Sequence, residues 1–176
     1  KITYPARFQL IAAMNPSPTG HYEGKHNRCT PEQTLRYLNR LSGPFLDRFD
    51  LSLEIPMPPP GLLSQPVRLE ESSREVQRRV IAAHQRQFTR QGKLNAHLGS
   101  GEARLHCALC DEDSRWLEQT LTQLGLSIRA WQRLLKVART LADMEGVDAI
   151  ERRHLQEALS YRGIDRMLSH LQTLLQ

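Results

Sequence analysis

The sequence predicts an α/β segment followed by an all-α domain, and three observations lead to that fold class. Two apolar runs of strand length, residues 7–14 and 51–55, lie on either side of a capped amphipathic helix. Five of the ten prolines fall within residues 56–66, where they favour extended backbone and exclude a helix. Beyond that segment every periodic stretch has helical spacing. We therefore divide the chain into residues 1–55, a linker at 56–66 and a helical domain at 67–176.

The first part of the chain is expected to alternate strand and helix. The run 7–14 is apolar apart from Arg7 and Gln9, as in a strand buried in a parallel sheet, and 51–55 is predicted to be a second strand. Between them Thr30 is predicted to cap a helix, with Pro31 at its first position and Gln33 reaching back to the cap. Three leucines are expected to form the buried stripe of that helix: Leu35, Leu38 and Leu41.

Six helices are expected beyond the linker. Ser72 and Glu75 form a capping box that begins the first of them, and Gly92 ends it. Asp111 is predicted to cap the third helix, and Ser127 the longest, which ends at Gly146. The predicted helices span residues 73–91, 104–110, 111–124, 127–146, 151–161 and 164–175.

Composition limits the class of protein. A chain of 176 residues with a net charge of +5 can bury a core and permits contact with nucleic acid, although charge alone does not establish that contact. The sequence has no run of 18 apolar residues, so we expect no membrane span. Three cysteines, an odd number, argue against a disulfide framework and favour a reducing, cytoplasmic setting.

One string is close to a phosphate-binding loop. Residues 20–26, Gly-His-Tyr-Glu-Gly-Lys-His, are one residue short of Gly-x-x-x-x-Gly-Lys-Ser/Thr and end in His. The next helix starts at Thr30, so no helix N-terminus lies beside Lys25 to hold a phosphate. No strand ending in paired acids, which would hold magnesium, precedes Asn15. We therefore expect this chain alone neither to bind ATP tightly nor to hydrolyse it.

Three segments carry a family resemblance. Residues 8–16 (Phe-Gln-Leu-Ile-Ala-Ala-Met-Asn-Pro), 46–51 (Leu-Asp-Arg-Phe-Asp-Leu) and 126–138 resemble the magnesium-chelatase-like AAA+ ATPases of the ComM/YifB family. The resemblance covers nearly the whole chain. It implies the C-terminal part of an AAA+ P-loop ATPase core followed by a helical lid, within a longer ATPase that uses ATP and Mg²⁺. The lid is expected to move about the Pro-rich linker.

The resemblance assigns roles to two residues of the first segment. Arg48 occupies the family's arginine-finger setting, where a guanidinium from one subunit offsets transition-state charge in its neighbour. Asn15 is the sensor-1 candidate, because a carboxamide at a strand end can bond both a phosphate oxygen and a water. The alternatives are a surface ion pair of Arg48 with Asp47 or Asp50, and a turn initiated by Asn15 and Pro16.

Arg129 is the sensor-2 candidate implied by the resemblance. It lies two positions after Ser127, in a first helical turn where an arginine opposes the helix dipole. A phosphate there would meet both the side chain and the helix N-terminus. The alternative is an arginine that extends into solvent.

Cys107 and Cys110 have the Cys-x-x-Cys spacing of half a zinc site. A structural zinc ion needs four ligands, and the second close pair is missing, with Cys29, His21 and His26 as the conceivable partners. We expect no metal, and one thiol of the pair buried in a helix as a small apolar group.

The predicted helix at 73–91 is the candidate nucleic-acid contact. Four cations lie on or just beyond it and could neutralise phosphates: Arg79, Arg86, Arg90 and Lys93. A solvated outer face explains the same pattern.

The resemblance therefore implies the C-terminal part of a cytoplasmic, ring-forming ATPase, with six subunits expected, that couples hydrolysis to DNA branch migration during natural transformation. The alternatives are a magnesium-chelatase-type ATPase that remodels a protein partner, and a DNA- or protein-binding module without catalysis. No membrane partner is expected.

Overall fold

The computed structural model describes residues 2–3, 8–21, 24–41, 43–46, 48–56, 58, 60–61 and 71–175. The chain divides into two compact units. One comprises Lys1–Leu46 with Met167–Gln176, and the other comprises Asp47–Arg166. The domain boundaries at residues 55 and 67 remain a prediction, because residues 62–70 lie outside the described residues.

The described residues are mostly helical. Their α-helices are α1 (Pro31–Leu38), α2 (Gly43–Leu46), α3 (Ser73–Gln91), α4 (Ser100–His106), α5 (Asp111–Gln123), α6 (Ile128–Glu145), α7 (Arg152–Ser160) and α8 (Gly163–Thr173), with a 3₁₀ turn at Asn95–His97. In the described part of the chain, no helix has both the length and the apolar character needed to cross a bilayer.

The first unit is built around α1. As predicted, the Thr30 hydroxyl accepts a hydrogen bond from the Gln33 backbone N–H. In return, the Thr30 N–H donates to Oε1 of the Gln33 side chain. Leu38 is buried and packs with Met167 and Leu171. These three side chains form a small core, since one amphipathic helix must bury its apolar stripe against another.

The strands predicted at 7–14 and 51–55 are not formed in the described residues, and this corrects the sequence prediction. Residues 8–15 are irregular and exposed, with Phe8 74% and Ile11 85% accessible. In the second run only Ser52 pairs, through an isolated parallel bridge to Arg162. A strand needs neighbours for its N–H and C=O groups. The described residues supply none for the first run and only the bridge at Ser52 for the second.

The second unit is a helical assembly with α6 at its centre. Helix α6 contacts α3, α4, α7 and the 3₁₀ turn. Ser127 caps it through the Ala130 N–H, and Gly146 ends it with φ +87°, a conformation that a residue with a Cβ adopts at a cost. The core of the unit contains the following buried residues: Leu98, Ala103, Cys107, Leu117, Leu121, Leu134, Leu135, Ala138, Ile150, Leu155 and Ala158.

Three predictions about the helices need correction: where one starts, which residue caps another, and which helix is the longest. The helix predicted at 104–110 is α4, Ser100–His106, which starts earlier because the Glu102 carboxylate accepts from the Gly99 N–H. Cys110, not Asp111, is the N-cap of α5. Helix α3 has 19 residues and α6 has 18, so α6 is not the longest.

Candidate functional site

Arg129 lies in the first turn of α6, as the sequence predicts. Ser127 uses its hydroxyl to accept from the Ala130 N–H, which fixes the start of the helix just before Arg129. The Arg129 side chain is exposed and has no hydrogen bond or ion pair with other described residues. Its guanidinium and the helix N-terminus together form a positive end that can receive an anion.

The segment that carries Arg48 lies against the first turns of the same helix. Asp50, two residues after Arg48, has its Oδ1 atom 3.8 Å from Nε of Arg133. Arg133 follows Arg129 by one helical turn, so the ion pair joins the Arg48 segment to the N-terminal part of α6. Arg48 itself is exposed.

Ser52 anchors that segment to the junction between α7 and α8. Its N–H donates to the Tyr161 carbonyl at 2.7 Å, and its carbonyl accepts from the Gly163 N–H at 3.0 Å. The Ser52 hydroxyl accepts from the Ile164 N–H at 3.1 Å. A Cβ on Gly163 would lie 3.1 Å from the Ser52 oxygen, so a glycine at 163 allows the two backbones this close approach.

Asn15 belongs to the other unit, where it is exposed and precedes a compact loop. Ser17 is fully buried, and its hydroxyl donates to the His21 carbonyl and accepts from the Thr19 N–H. Thr19 Oγ1 lies 3.4 Å from Cys29 Sγ. Together with the bond from the Gly20 N–H to the Ser17 carbonyl, these bonds fix a turn at residues 17–20, just after Asn15.

Cys107 and Cys110 have different environments. Cys107 is 2% exposed within the core, and burial raises the pKa of its thiol to about 11. Cys110 is exposed at the start of α5. Across the described residues no three His, Cys, Asp or Glu side chains come together as a metal site would require.

The four cations predicted to contact nucleic acid are each paired with a carboxylate. Arg79 pairs with Glu71 at 2.7 Å, and Arg86 pairs with Asp148 at 2.8 Å. The other two pairs are Arg90 with Asp143 at 2.5 Å and Lys93 with Glu102 at 2.6 Å. A phosphate would have to displace a carboxylate at each of these positions.

The pair of Arg90 and Asp143 is the centre of a polar network inside the second unit. Asp143 is fully buried and accepts from both terminal nitrogens of Arg90, at 2.5 and 3.0 Å. Asn95 donates to the same carboxylate at 2.8 Å, and Arg139 lies 3.2 Å from it. Arg139 also donates to the carbonyls of Val147 and Asp148. The network therefore ties α3, the 3₁₀ turn and the end of α6 together.

The charges of this network stabilise one another. Burial disfavours the charged form of Asp143, but hydrogen bonds from Arg90 and Asn95 and the charge of Arg139 hold its pKa below the ordinary value. The hydrogen bond to Asp143 raises the pKa of Arg90, whereas burial lowers the pKa of Arg139. Sequence reasoning missed this network, although Arg139 and Asp143 have the i, i+4 spacing of a helical ion pair.

Arg129 and Arg133 bring two guanidinium groups to the first turns of α6. Arg129 is exposed there, and Arg133 Nη1 is buried with no hydrogen-bond partner in the described part of the chain. Arg48 lies on the segment joined to that turn. These guanidinium groups suit phosphate oxygens. This sequence contains neither the paired carboxylates that would hold Mg²⁺ nor the glycine-rich loop that would hold the phosphates.

Two family models match this chain. The model of the C-terminal region of magnesium chelatase subunit ChlI covers residues 70–162, and the model of magnesium chelatase subunit ChlI covers residues 1–61. The chain belongs to the magnesium chelatase ChlI family. Its mostly helical structure is consistent with the C-terminal helical region of a ChlI-type AAA+ protein.

Within the ChlI family the chain is similar to YifB and ComM. It is 74% identical over 175 residues to the uncharacterized protein YifB of Salmonella typhimurium, and to that of Escherichia coli, covering 99% of this chain and 35% of each relative. It is 54% identical over 171 residues to the competence protein ComM of Haemophilus influenzae, covering 97% of this chain and 34% of ComM. The chain thus spans about a third of the length of these relatives.

Proposed function

We propose that the full-length protein containing this chain is a ring-forming AAA+ ATPase that couples ATP hydrolysis to DNA branch migration in natural transformation. One observation carries the proposal: the contact between Asp50 and Arg133 joins the Arg48 segment to the start of α6, where Arg129 lies. The 54% identity to the competence protein ComM supports the DNA-related role.

The chemistry proposed for these residues is stabilisation of phosphate charge. Arg48 acts as an arginine finger on the nucleotide of a neighbouring subunit, where its planar fork offsets charge that develops on the γ-phosphoryl oxygens. Arg129 binds phosphate as sensor 2. The ion pair between Asp50 and Arg133 supports the proposal that Arg48 and Arg129 both act on nucleotide phosphates.

Asn15 completes the proposed set as sensor 1. Its carboxamide offers a donor and an acceptor together, so it can hold a phosphate oxygen and orient a water. In the full-length protein we expect run 8–14 to pair with strands of a P-loop ATPase core, which would cover its exposed apolar side chains. Bound ATP with Mg²⁺ supplies the phosphoryl group and neutralises part of its charge.

The protein is proposed to act in the cytoplasm as a homo-oligomeric ring, with six subunits expected and DNA as its partner. An arginine finger requires such a ring, because it completes the site of an adjacent subunit. Four cations remain predicted DNA contacts: Arg79, Arg86, Arg90 and Lys93. To bind DNA, each must exchange its carboxylate partner for a phosphate.

The test is the steady-state ATPase activity of the full-length protein with Arg48→Ala. We expect kcat to fall by about a thousandfold or more with little change in nucleotide affinity, because a finger acts mainly on the transition state. Arg104→Ala, at an exposed arginine of α4, is the matched control and should keep its activity. Mixing Arg48→Ala subunits with subunits defective in their own phosphate loop should restore part of the rate. Normal turnover by Arg48→Ala would reject the finger.

A second candidate function is a magnesium-chelatase-type ATPase that remodels a protein partner, and the two ChlI family models favour it. DNA binding by the full-length protein separates the two functions. A DNA motor binds with an affinity that falls steeply as salt rises, because its cations release counterions from phosphates. A protein-remodelling ATPase shows no such binding.

A further inference from the structure

Helix α3 carries a second set of cations that has no carboxylate partner among the described residues. Arg74 and Arg78 are exposed, one turn apart, and neither makes an ion pair or hydrogen bond within the described part of the chain. Arg79 and Arg86, on the other edge of the same helix, are held by Glu71 and Asp148. The guanidinium groups of Arg74 and Arg78 are therefore available to an anionic partner without displacing a carboxylate.

An apolar pair lies beside these arginines. Ile81 and Phe88 are 47% and 54% exposed, although they are large apolar side chains. At 100° per residue they lie about 130° around the helix from the packed face, and Arg74 lies within about 40° of both. The packed face is marked by the buried residues Ala83 and Gln87. The exposed pair therefore points away from the interior of its unit.

Two amides complete this surface. Gln77 and Gln85 are exposed on the same side of α3 and have no hydrogen-bond partner among the described residues. Each offers both a donor and an acceptor. We call the surface the α3 outer face, formed by Arg74, Gln77, Arg78, Ile81, Gln85 and Phe88.

We propose that the α3 outer face binds unpaired, single-stranded nucleic acid, a proposal that rests on the DNA-related function above. Arg74 and Arg78 contact phosphates, Gln77 and Gln85 bond base edges, and the Phe88 ring stacks on a base. Single-stranded binding surfaces combine cations along the backbone with aromatic rings for the bases. Unpaired bases expose the flat faces that Phe88 and Ile81 can cover, whereas a duplex keeps them stacked inside.

A protein partner is the competing occupant of the same surface. An apolar protein contact would be served by Ile81 and Phe88, but it would bury the two unpaired arginines and two amides that surround them, at a cost unless each found a partner. A nucleic acid supplies an acceptor for every one of these groups. The charge and hydrogen-bonding capacity of the face therefore favour nucleic acid.

The local test is photo-cross-linking in the full-length protein, with p-benzoylphenylalanine replacing Phe88 and, as control, replacing Leu105. Leu105 is also an exposed apolar residue but lies on α4, outside the α3 outer face. A fluorescent oligothymidylate is the probe. We expect a cross-link to DNA from position 88 and not from position 105. Cross-linking from position 88 to protein alone, or equal DNA cross-linking from both positions, would overturn the proposal.

The second test compares two double variants that remove the same charge from the same unit. Arg74→Gln with Arg78→Gln should weaken binding of the oligothymidylate about tenfold or more in fluorescence anisotropy at low salt and reduce the salt slope by about 1.4. Arg104→Gln with Arg115→Gln, at exposed arginines of α4 and α5, should change binding by less than about twofold. Equal weakening by the two double variants would reject the α3 outer face.

Failure of this inference and of the proposed function are distinguishable. Wild-type protein that binds single-stranded DNA while the Arg74 and Arg78 double variant binds equally well rejects only the α3 outer face. Wild-type protein that binds neither oligothymidylate nor branched duplex DNA rejects the DNA function together with it.

Discussion

At the scale of single residues, Asp143 is the buried carboxylate at the centre of the polar network of the second unit. It is fully buried, and Arg90, Asn95 and Arg139 all direct donors toward its carboxylate. Removing one member of a buried charged set leaves the others desolvated without a counter-charge, which costs more than the loss of a surface pair. The network therefore stabilises the fold only while each buried charge keeps its partners.

Asp143→Asn should lower the free energy of unfolding by about 3–5 kcal/mol, because Arg90 and Arg139 would remain in the interior without their carboxylate. Asp148→Asn is the matched control. The Asp148 side chain is fully exposed and, among the described residues, pairs with Arg86 alone, so this substitution should cost far less stability. Urea titration followed by circular dichroism measures both. Equal losses for the two variants would mean that the buried network does not stabilise the fold.

The same carboxylate predicts a pH dependence. The pKa of Asp143 is lowered in the folded state, so the unfolded chain binds the proton more readily. The stabilisation is therefore complete above the unfolded pKa of about 3.9 and is lost as the pH falls through the lower, folded pKa. In the urea titrations, the difference between wild type and Asp143→Asn should be constant from about pH 7 to pH 5 and shrink below about pH 4.

The two cysteines of the Cys-x-x-Cys string should differ in reactivity. Cys110 is exposed, whereas Cys107 is buried and its pKa is raised to about 11, so little thiolate forms at neutral pH. Iodoacetamide should modify Cys110 at pH 8 well before Cys107, as measured by peptide mass spectrometry. Adding urea should make the two rates similar. Rapid modification of Cys107 in the native protein would contradict its place in the core.

At the scale of elements, the contact of Ser52 with the start of α8 depends on Gly163. Alanine ordinarily favours a helix over glycine by up to about 1 kcal/mol. At Gly163 the added Cβ would lie 3.1 Å from the Ser52 carbonyl oxygen, which is tighter than ordinary contact. Gly101, in α4, has nothing within 4 Å of the same added atom.

Gly101→Ala should therefore stabilise the chain by about 0.5–1 kcal/mol, whereas Gly163→Ala should destabilise it or leave it unchanged. The local consequence of Gly163→Ala is faster hydrogen exchange at the Ser52 amide, which donates to Tyr161. Urea titration and exchange mass spectrometry provide the measurements. A gain in stability of the same size from both substitutions, with unchanged exchange at Ser52, would show that the 48–56 segment does not depend on this contact.

The helices could be predicted from the sequence where local chemistry decides them. The capping boxes at Thr30 and Ser72, and the glycine stops at Gly92 and Gly146, involve residues within four positions of each other. The runs 7–14 and 51–55 could not be predicted in the same way. Whether an apolar run becomes a strand depends on neighbouring strands, and the described residues contain none for it.

Residue types and spacing also gave only part of the candidate site. Arg129 lies in a first helical turn, as predicted, because Ser127 determines that turn locally. The pairing of the four predicted DNA-contacting cations could not be foreseen. Arg86 finds Asp148 and Arg90 finds Asp143 across more than fifty residues of sequence, so their partners depend on how α3 packs on α6.

At the scale of the whole molecule, this chain spans about a third of the length of YifB and ComM. The central proposal is that the full-length protein couples ATP hydrolysis to DNA. The ion pair between Asp50 and Arg133 supports the ATPase half of that proposal. Arg74 and Arg78, which pair with no carboxylate among the described residues, support the DNA half. Both halves meet in a single measurable quantity.

That quantity is the ATPase rate of the full-length protein with and without a branched DNA junction. We expect the junction to raise the rate several-fold, Arg48→Ala to abolish turnover under both conditions, and the Arg104→Ala control to behave as wild type. A rate that branched DNA leaves unchanged, in a protein that hydrolyses ATP and needs Arg48, would contradict the DNA-coupled motor and favour remodelling of a protein partner.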